Sequence, residues 1–140
     1  MSDQPPNAEA SRAASSAGAV RTIVIVAAYH ADAWLPACVR SLAESWNPHD
    51  RLLLIDNSGN SQLESAAKAI PGTYVLATPR PLGFAEANNF GLVQGGVSGD
   101  YVCFLNQDTR SGAGWLDACV SCLAARPDVG GVLPLLRTYD

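Results

Sequence analysis

Tyr101-Val102-Cys103-Phe104-Leu105-Asn106-Gln107-Asp108-Thr109 is a short apolar run that ends abruptly in two amides, a carboxylate and a hydroxyl. A strand that finishes in this way presents Asp108 at the rim of a sheet, where a metal-bound diphosphate can be held. Upstream stands Gly83-Phe84-Ala85-Glu86-Ala87-Asn88-Asn89-Phe90-Gly91, and two earlier apolar runs also end in polar rim residues, at Tyr29 and at Asp56. Four segments therefore converge on one edge of one sheet.

Working outward, the chain alternates strand and helix. Thr22 to Ala28 has the Val- and Ile-rich composition of a strand buried on both faces. A helix follows, with Asp32 as the expected cap, Leu35, Val39, Leu42 and Trp46 on one stripe, and Asn47-Pro48 as the stop. Leu52 to Ile55 is the second strand, and Asp56-Asn57-Ser58-Gly59 its turn. Ser61 and Glu64 fit a capping box for a helix running to about Ile70, before Pro71-Gly72 breaks it. Thr73 to Ala77 is a short third strand, Phe84 to about Gln94 a third helix, Tyr101 to Leu105 a fourth strand, and Trp115 to Ala125 a fourth helix. Val129 to Leu136 looks like a fifth strand. This spacing implies right-handed crossovers and an α/β, Rossmann-like parallel sheet with helices on both faces. Residues 1–20, rich in Ala, Ser and Pro without periodicity, read as a disordered leader ahead of one domain over residues 21–140.

Composition narrows the function. The net charge is −4, and the one lysine and eight arginines are scattered, so no basic stripe exists for nucleic acid. The apolar runs are too short or too interrupted to span a bilayer, and the first twenty residues lack the apolar block of a secretory signal. The cytoplasm is the expected compartment, with the inner face of the membrane as the alternative. Four cysteines, at positions 38, 103, 119 and 122, fall singly or inside a helical pattern, and read as buried free thiols rather than as a zinc or redox motif. His30 and His49 read as ordinary loop or surface histidines.

The first turn, Ala27-Ala28-Tyr29-His30-Ala31-Asp32, contains no glycine, so the dinucleotide fingerprint is missing, as is a Walker-type loop. A nucleotide would be held by side chains and a metal more than by a glycine-rich cradle. Taken together, Ala27-Ala28-Tyr29, Leu54-Ile55-Asp56-Asn57-Ser58, Gly83 to Gly91, and Leu105 to Thr109 resemble, in order and placement, the nucleotide-binding part of family 2 glycosyltransferases of the GT-A fold, particularly rhamnosyltransferase-like members. The resemblance covers about Thr22 to Leu136.

It implies a nucleotide-diphosphate-sugar donor, a glycan or lipid-linked acceptor and an inverting transfer assisted by magnesium or manganese. Asp56 would accept a hydrogen bond from the base, Ala28 and Tyr29 would flank base and ribose, and Asp108 would bind the divalent ion that bridges the phosphates. Asn88 and Asn89 would line the donor pocket from a helix whose amino end favours an anion. Asn106 stands where the family often has a first aspartate, keeping a hydrogen bond to ribose but losing a charge. Pro81 replaces a frequent asparagine before Leu-Gly.

Each site residue also has a purely structural reading: Asp56 as organiser of its turn, Asp108 as a loop cap with Thr109, Asn88 and Asn89 as helix-surface amides, and Gly83 as a backbone requirement. The catalytic base is expected in a segment beyond the fifth strand, and neither Asp117, Asp128 nor Asp140 is a supported substitute. Two functions therefore stand side by side: a glycosyltransferase whose chain is truncated, and a nucleotide-sugar binding module that needs a separate acceptor half or does not turn over. A receiver-like signalling domain is disfavoured, because Lys68 lies in a helix rather than at a strand end. An apolar sheet edge around Leu133-Pro134-Leu135-Leu136 would favour self-association.

Overall fold

The computed structural model describes residues 20–138, so the expected leader lies outside the described residues apart from Val20, as does Asp140. The strands are β1 (Thr22–Ala28), β2 (Arg51–Asp56), β3 (Tyr74–Ala77) and β4 (Tyr101–Phe104). They alternate with helices α1 (Leu35–Ala43), α2 (Leu63–Ala67), α3 (Phe84–Gln94) and α4 (Trp115–Ala125). The strands are parallel and lie in the order β3-β2-β1-β4.

That order dictates which face each helix covers. The first two crossovers step outward the same way, so right-handedness places α1 and α2 on one face. The third returns over β2 and β1 to the far side, which places α3 on the other. Side chains alternate accordingly. Val24, Val26, Leu52 and Leu54 pack with Leu35, Val39 and Leu42 of α1 and with Leu63, Ala66 and Ile70. Ile23, Ile25, Leu53 and Ile55 pack with Ala87 and Phe90 of α3. A side chain such as Ile25 or Leu54, fully withdrawn from water, contributes about 1.5–3 kcal/mol. Helix α3 approaches β2 closely because Gly91 has no side chain, since a Cβ there would lie 2.8 Å from Ile55 Cδ1.

At the other end of the sheet Arg21 forms a two-pronged bridge to buried Asp50, with Nε 2.8 Å from Oδ1, and also donates to Asp117 of α4. The planar guanidinium suits this double duty. Asp50 and Asp117 hold its pKa above the ordinary arginine value, against the opposing effect of burial.

Several local expectations are corrected. Asp32 does not cap α1, which begins after Trp34 with Pro36 in its first turn and no side-chain cap. Its carboxylate instead accepts from Ser61 Oγ at 2.9 Å and from Gln62 N at 3.1 Å, so it serves the start of α2. Those bonds lower its pKa. Ser61 is thereby committed to Asp32, and the capping box with Glu64 does not form. Helix α2 is regular only to Ala67.

Residues 129–136 do not form a fifth strand. They lie against α4 and the exposed side of β4 without pairing to it, and Leu133 and Leu135 are 81% and 82% exposed. A strand requires a ladder partner, and apolar composition alone does not supply one. The four cysteines are free thiols, but only Cys38 is buried and Cys122 is exposed. On α4 the partly buried stripe is Trp115, Leu116, Cys119, Val120 and Leu123, and Cys122 falls outside it.

Candidate functional site

Strand order reverses at β1, which has β2 and β3 on one side and β4 on the other. The β1–β2 ladder continues to Ala28↔Asp56, whereas the β1–β4 register stops at Ile25↔Phe104. Beyond that point the two chains part, and a cleft of about 380 Å³ opens at the carboxyl ends of the strands. It is lined by Tyr29 after β1, Asn57 after β2, Leu82 and Phe84 at the entry to α3, and Asn106 and Asp108 after β4. In open α/β sheets this switch point is where ligands bind.

Side-chain amides hold the rim together. Asn57, 4% exposed, donates through Nδ2 to Leu82 O at 2.9 Å and accepts from Leu82 N at 2.8 Å, so it ties the loop before α3 to β2. Asn60 donates to Ala28 O at 2.9 Å and accepts from Ala31 N at 2.8 Å, which spans the turn after β1. Within that turn His30 has φ 47°, a left-handed conformation uncommon outside glycine, and its N–H donates to Ser58 Oγ at 2.8 Å. The missing glycine of the first turn is thus replaced by a histidine pinned through neighbouring side chains.

Asp56 lies at the end of β2. Its Oδ1 accepts from Asn60 Nδ2 at 2.8 Å, from Asn60 N at 3.0 Å and from Ser58 N at 3.3 Å. Partial burial opposes its ionisation, but these bonds outweigh it and hold the carboxyl below the usual range. The structural reading of Asp56 is therefore real, and it engages one oxygen.

After β4, Thr109 Oγ1 donates to Asn106 O at 2.8 Å, closing a tight turn that presents Asp108 outward. Cys38 Sγ lies beneath, 3.7 Å from both Asn106 O and Thr109 Oγ1, and burial pushes this thiol's pKa up. Ser41 Oγ accepts from Ser111 N at 3.0 Å, so α1 supports the same loop.

The expected residues separate clearly. Tyr29, Asn106 and Asp108 line one cleft, with Asp56 next to it through Asn57. Ala28 is fully buried, and only its carbonyl acts, as the acceptor for Asn57 N and Asn60 Nδ2. Asn88 is buried on α3 with Nδ2 donating to Phe84 O at 2.8 Å, and its Oδ1 has no hydrogen-bond partner. Asn89 is exposed, and neither asparagine of α3 lines the cleft. Asn57 and Gln107 were not assigned a role from sequence. Their positions beside Asp56 and Asp108 were the available signal.

Residues 23–135 match the sequence family described as Glycosyl transferase family 2. The chain belongs to that family. No curated protein matches it. Among solved structures, the family 2 chain is similar to S. aureus TarS 1-349, with TM-score 0.66 and 17% identity over 77% of this chain and 33% of that one. TarS 1-349 in complex with UDP-GlcNAc gives TM-score 0.66 and 19% identity over 77% and 32%. The complex with UDP gives 0.64 and 17% over 77% and 33%. At these identities the likeness establishes the GT-A-type fold, and the chain spans about one third of the length of the TarS fragment.

Proposed function

We propose that the cleft binds a nucleotide-diphosphate-sugar donor, and that the chain carries the donor half of an inverting glycosyltransferase. The observation that carries this reading is the convergence of Tyr29, Asn106, Gln107 and Asp108 on one cleft at the switch point of a family 2 domain. The UDP and UDP-GlcNAc complexes of TarS, a structural relative, support the same ligand class.

In this reading Tyr29 flanks base and ribose, with Ala28 as the backbone support behind it. Asp56 accepts from the base through the oxygen that the turn leaves over. Asn106 meets the ribose, and Asn88 steadies Phe84 at the entry to α3, while Asn89 stays outside the cleft. The donor set suits a hard divalent ion. Among the described residues no cluster of three His, Cys, Asp or Glu side chains exists, but magnesium and manganese are commonly held by one or two carboxylates together with substrate phosphates. Asp108 would hold the ion, which would neutralise the departing diphosphate.

The acceptor is a glycan or lipid-linked hydroxyl compound, and the motifs resemble those of rhamnosyltransferase-like members of the family. No described helix is long and apolar enough to cross a membrane, and we place the reaction in the cytoplasm or at the inner membrane face. One observation favours a second reading. Asp108 is the one carboxylate among the described residues lining the cleft, which would suit a donor-binding module that needs another segment for its base.

Calorimetric titration of the 140-residue chain with UDP, dTDP and GDP, with and without manganese, tests the proposal. Metal-dependent binding is expected, with Asp108→Asn lowering affinity by roughly 10–100-fold. A folded chain that binds none of the three contradicts it. Transfer or donor hydrolysis by the chain separates the enzyme from the binding module.

A further inference from the structure

We infer that Gln107 is a positioning residue that sets Tyr29 against Asp108 across the switch point, and thereby fixes the width of the cleft; this rests on the donor-site reading. The β1–β4 ladder ends at Ile25↔Phe104, with one further bond from Leu105 N to Ile25 O at 2.9 Å. Past that bond the rim needs another connection. Gln107 supplies it, accepting from Tyr29 N through Oε1 at 2.7 Å and donating through Nε2 to Tyr29 O at 2.9 Å. A side-chain amide takes the place of a peptide group and satisfies both main-chain polar atoms of one residue.

The residue type follows from this geometry. A carboxylate accepts but cannot donate, and lysine or arginine donates but cannot accept. Asparagine carries the same group one methylene shorter. Tyr29 N can only donate, so the orientation of the amide is itself determined by the network.

Two candidate ligand groups are fixed by this one side chain. Holding both N and O of Tyr29 determines where its ring, 48% exposed, leaves the chain. Gln107 also directly precedes Asp108 in a turn closed by Thr109 Oγ1 on Asn106 O at 2.8 Å. The other rim amides, Asn57 and Asn60, are buried and hold loops together, whereas the Gln107 bonds are exposed to solvent. Water replaces exposed bonds at little cost in stability. The main effect of removing them is therefore expected in ligand affinity, through lost preorganisation.

The test compares wild type with Gln107→Ala and Gln107→Asn in the full chain, by titration with UDP and manganese, amide hydrogen exchange at Tyr29, and thermal unfolding. Both variants are expected to lose Tyr29 protection and to bind roughly 10–100-fold more weakly, with the unfolding midpoint little changed. Affinity within about twofold of wild type despite lost Tyr29 protection overturns the inference, because the connection would then be irrelevant to the ligand. Weaker binding accompanied by an equally lowered midpoint and by lost protection throughout β1 also overturns it, in favour of a merely structural role. A wild-type chain that binds no nucleotide removes the donor reading first, and the inference with it.

Discussion

Strands β1 and β4 are hydrogen-bonded neighbours, yet they sit in different surroundings. Every residue of β1 except Ala27 is buried, whereas Val102 and Phe104 of β4 are 42% and 52% exposed. Helices on both faces cover β1, but α3 does not extend over β4, and α4 has no buried residue. The cleft opens where the well-packed half meets the open half. One wall is thus anchored to a rigid core, and the other, with Asp108, belongs to a strand with little packing of its own. Side-chain bridges such as Gln107 to Tyr29 compensate for this difference.

The comparison is sharpest in core truncations. Ile25→Ala should destabilise the chain by about 4 kcal/mol, through lost transfer free energy and a residual cavity. Val120→Ala in α4 should cost about 1 kcal/mol or less, since that side chain is already partly in water. Urea unfolding followed by tryptophan fluorescence measures both, and equal losses would break the distinction between the halves.

Arg21 joins the two regions, because it bridges Asp50 and Asp117. Arg21→Leu strands a buried carboxylate, 1% exposed, and should cost about 3 kcal/mol, the low end for such a broken pair because Arg21 itself retains 22% exposure. Denaturation midpoints measure this loss. Exchange protection in α4 should fall before that in β1, and loss of both together would show that α4 is more firmly attached than its burial suggests.

A smaller effect is expected in acid. The folded pKa of Asp56 is depressed, because the bonds from Asn60 and Ser58 outweigh burial. Its contribution to stability is therefore complete above the unfolded value of about 3.9 and is lost as the pH falls through the lower, folded value. Asp56→Asn should flatten the fall in stability below about pH 4, because it removes from the neutral range the contribution that the charge makes there. An unchanged slope would mean that other carboxylates govern the acid limb.

The least change in stability should come from the open edge. Phe104→Lys with Leu135→Lys, at 52% and 82% exposed positions, should alter unfolding by less than about 0.5 kcal/mol. Wild-type chain is expected to self-associate in sedimentation velocity through this apolar surface, and the double variant to remain monomeric. A monomeric wild type would show that the edge is tolerated in water.

Much of the architecture was legible because it depends on local pattern. Unbroken Val and Ile runs marked the buried strands, and helical spacing from Leu35 to Leu42 marked α1. The polar endings at Tyr29, Asp56 and Asp108 followed from where each run stops. Capping was less legible, since Asp32 had two helix starts within reach and only the folded chain places it against Ser61 and Gln62. The segment after α4 was misread as a strand because its apolar composition is local, while a strand also needs a partner from elsewhere.

The sequence by itself determined the α/β alternation, the residues of the sheet interior and the identity of the chemical groups at the strand ends. Those properties depend on hydrophobic periodicity and on residue type, which act over a few neighbouring positions. Tertiary structure alone decided that Tyr29 faces Asp108 across one cleft, that Asn88 turns its amide into α3, and that Gln107, 78 residues from Tyr29, satisfies both of that residue's main-chain groups. Such pairings arise when crossovers bring distant strand ends together. No local pattern encodes which donor will then meet which acceptor.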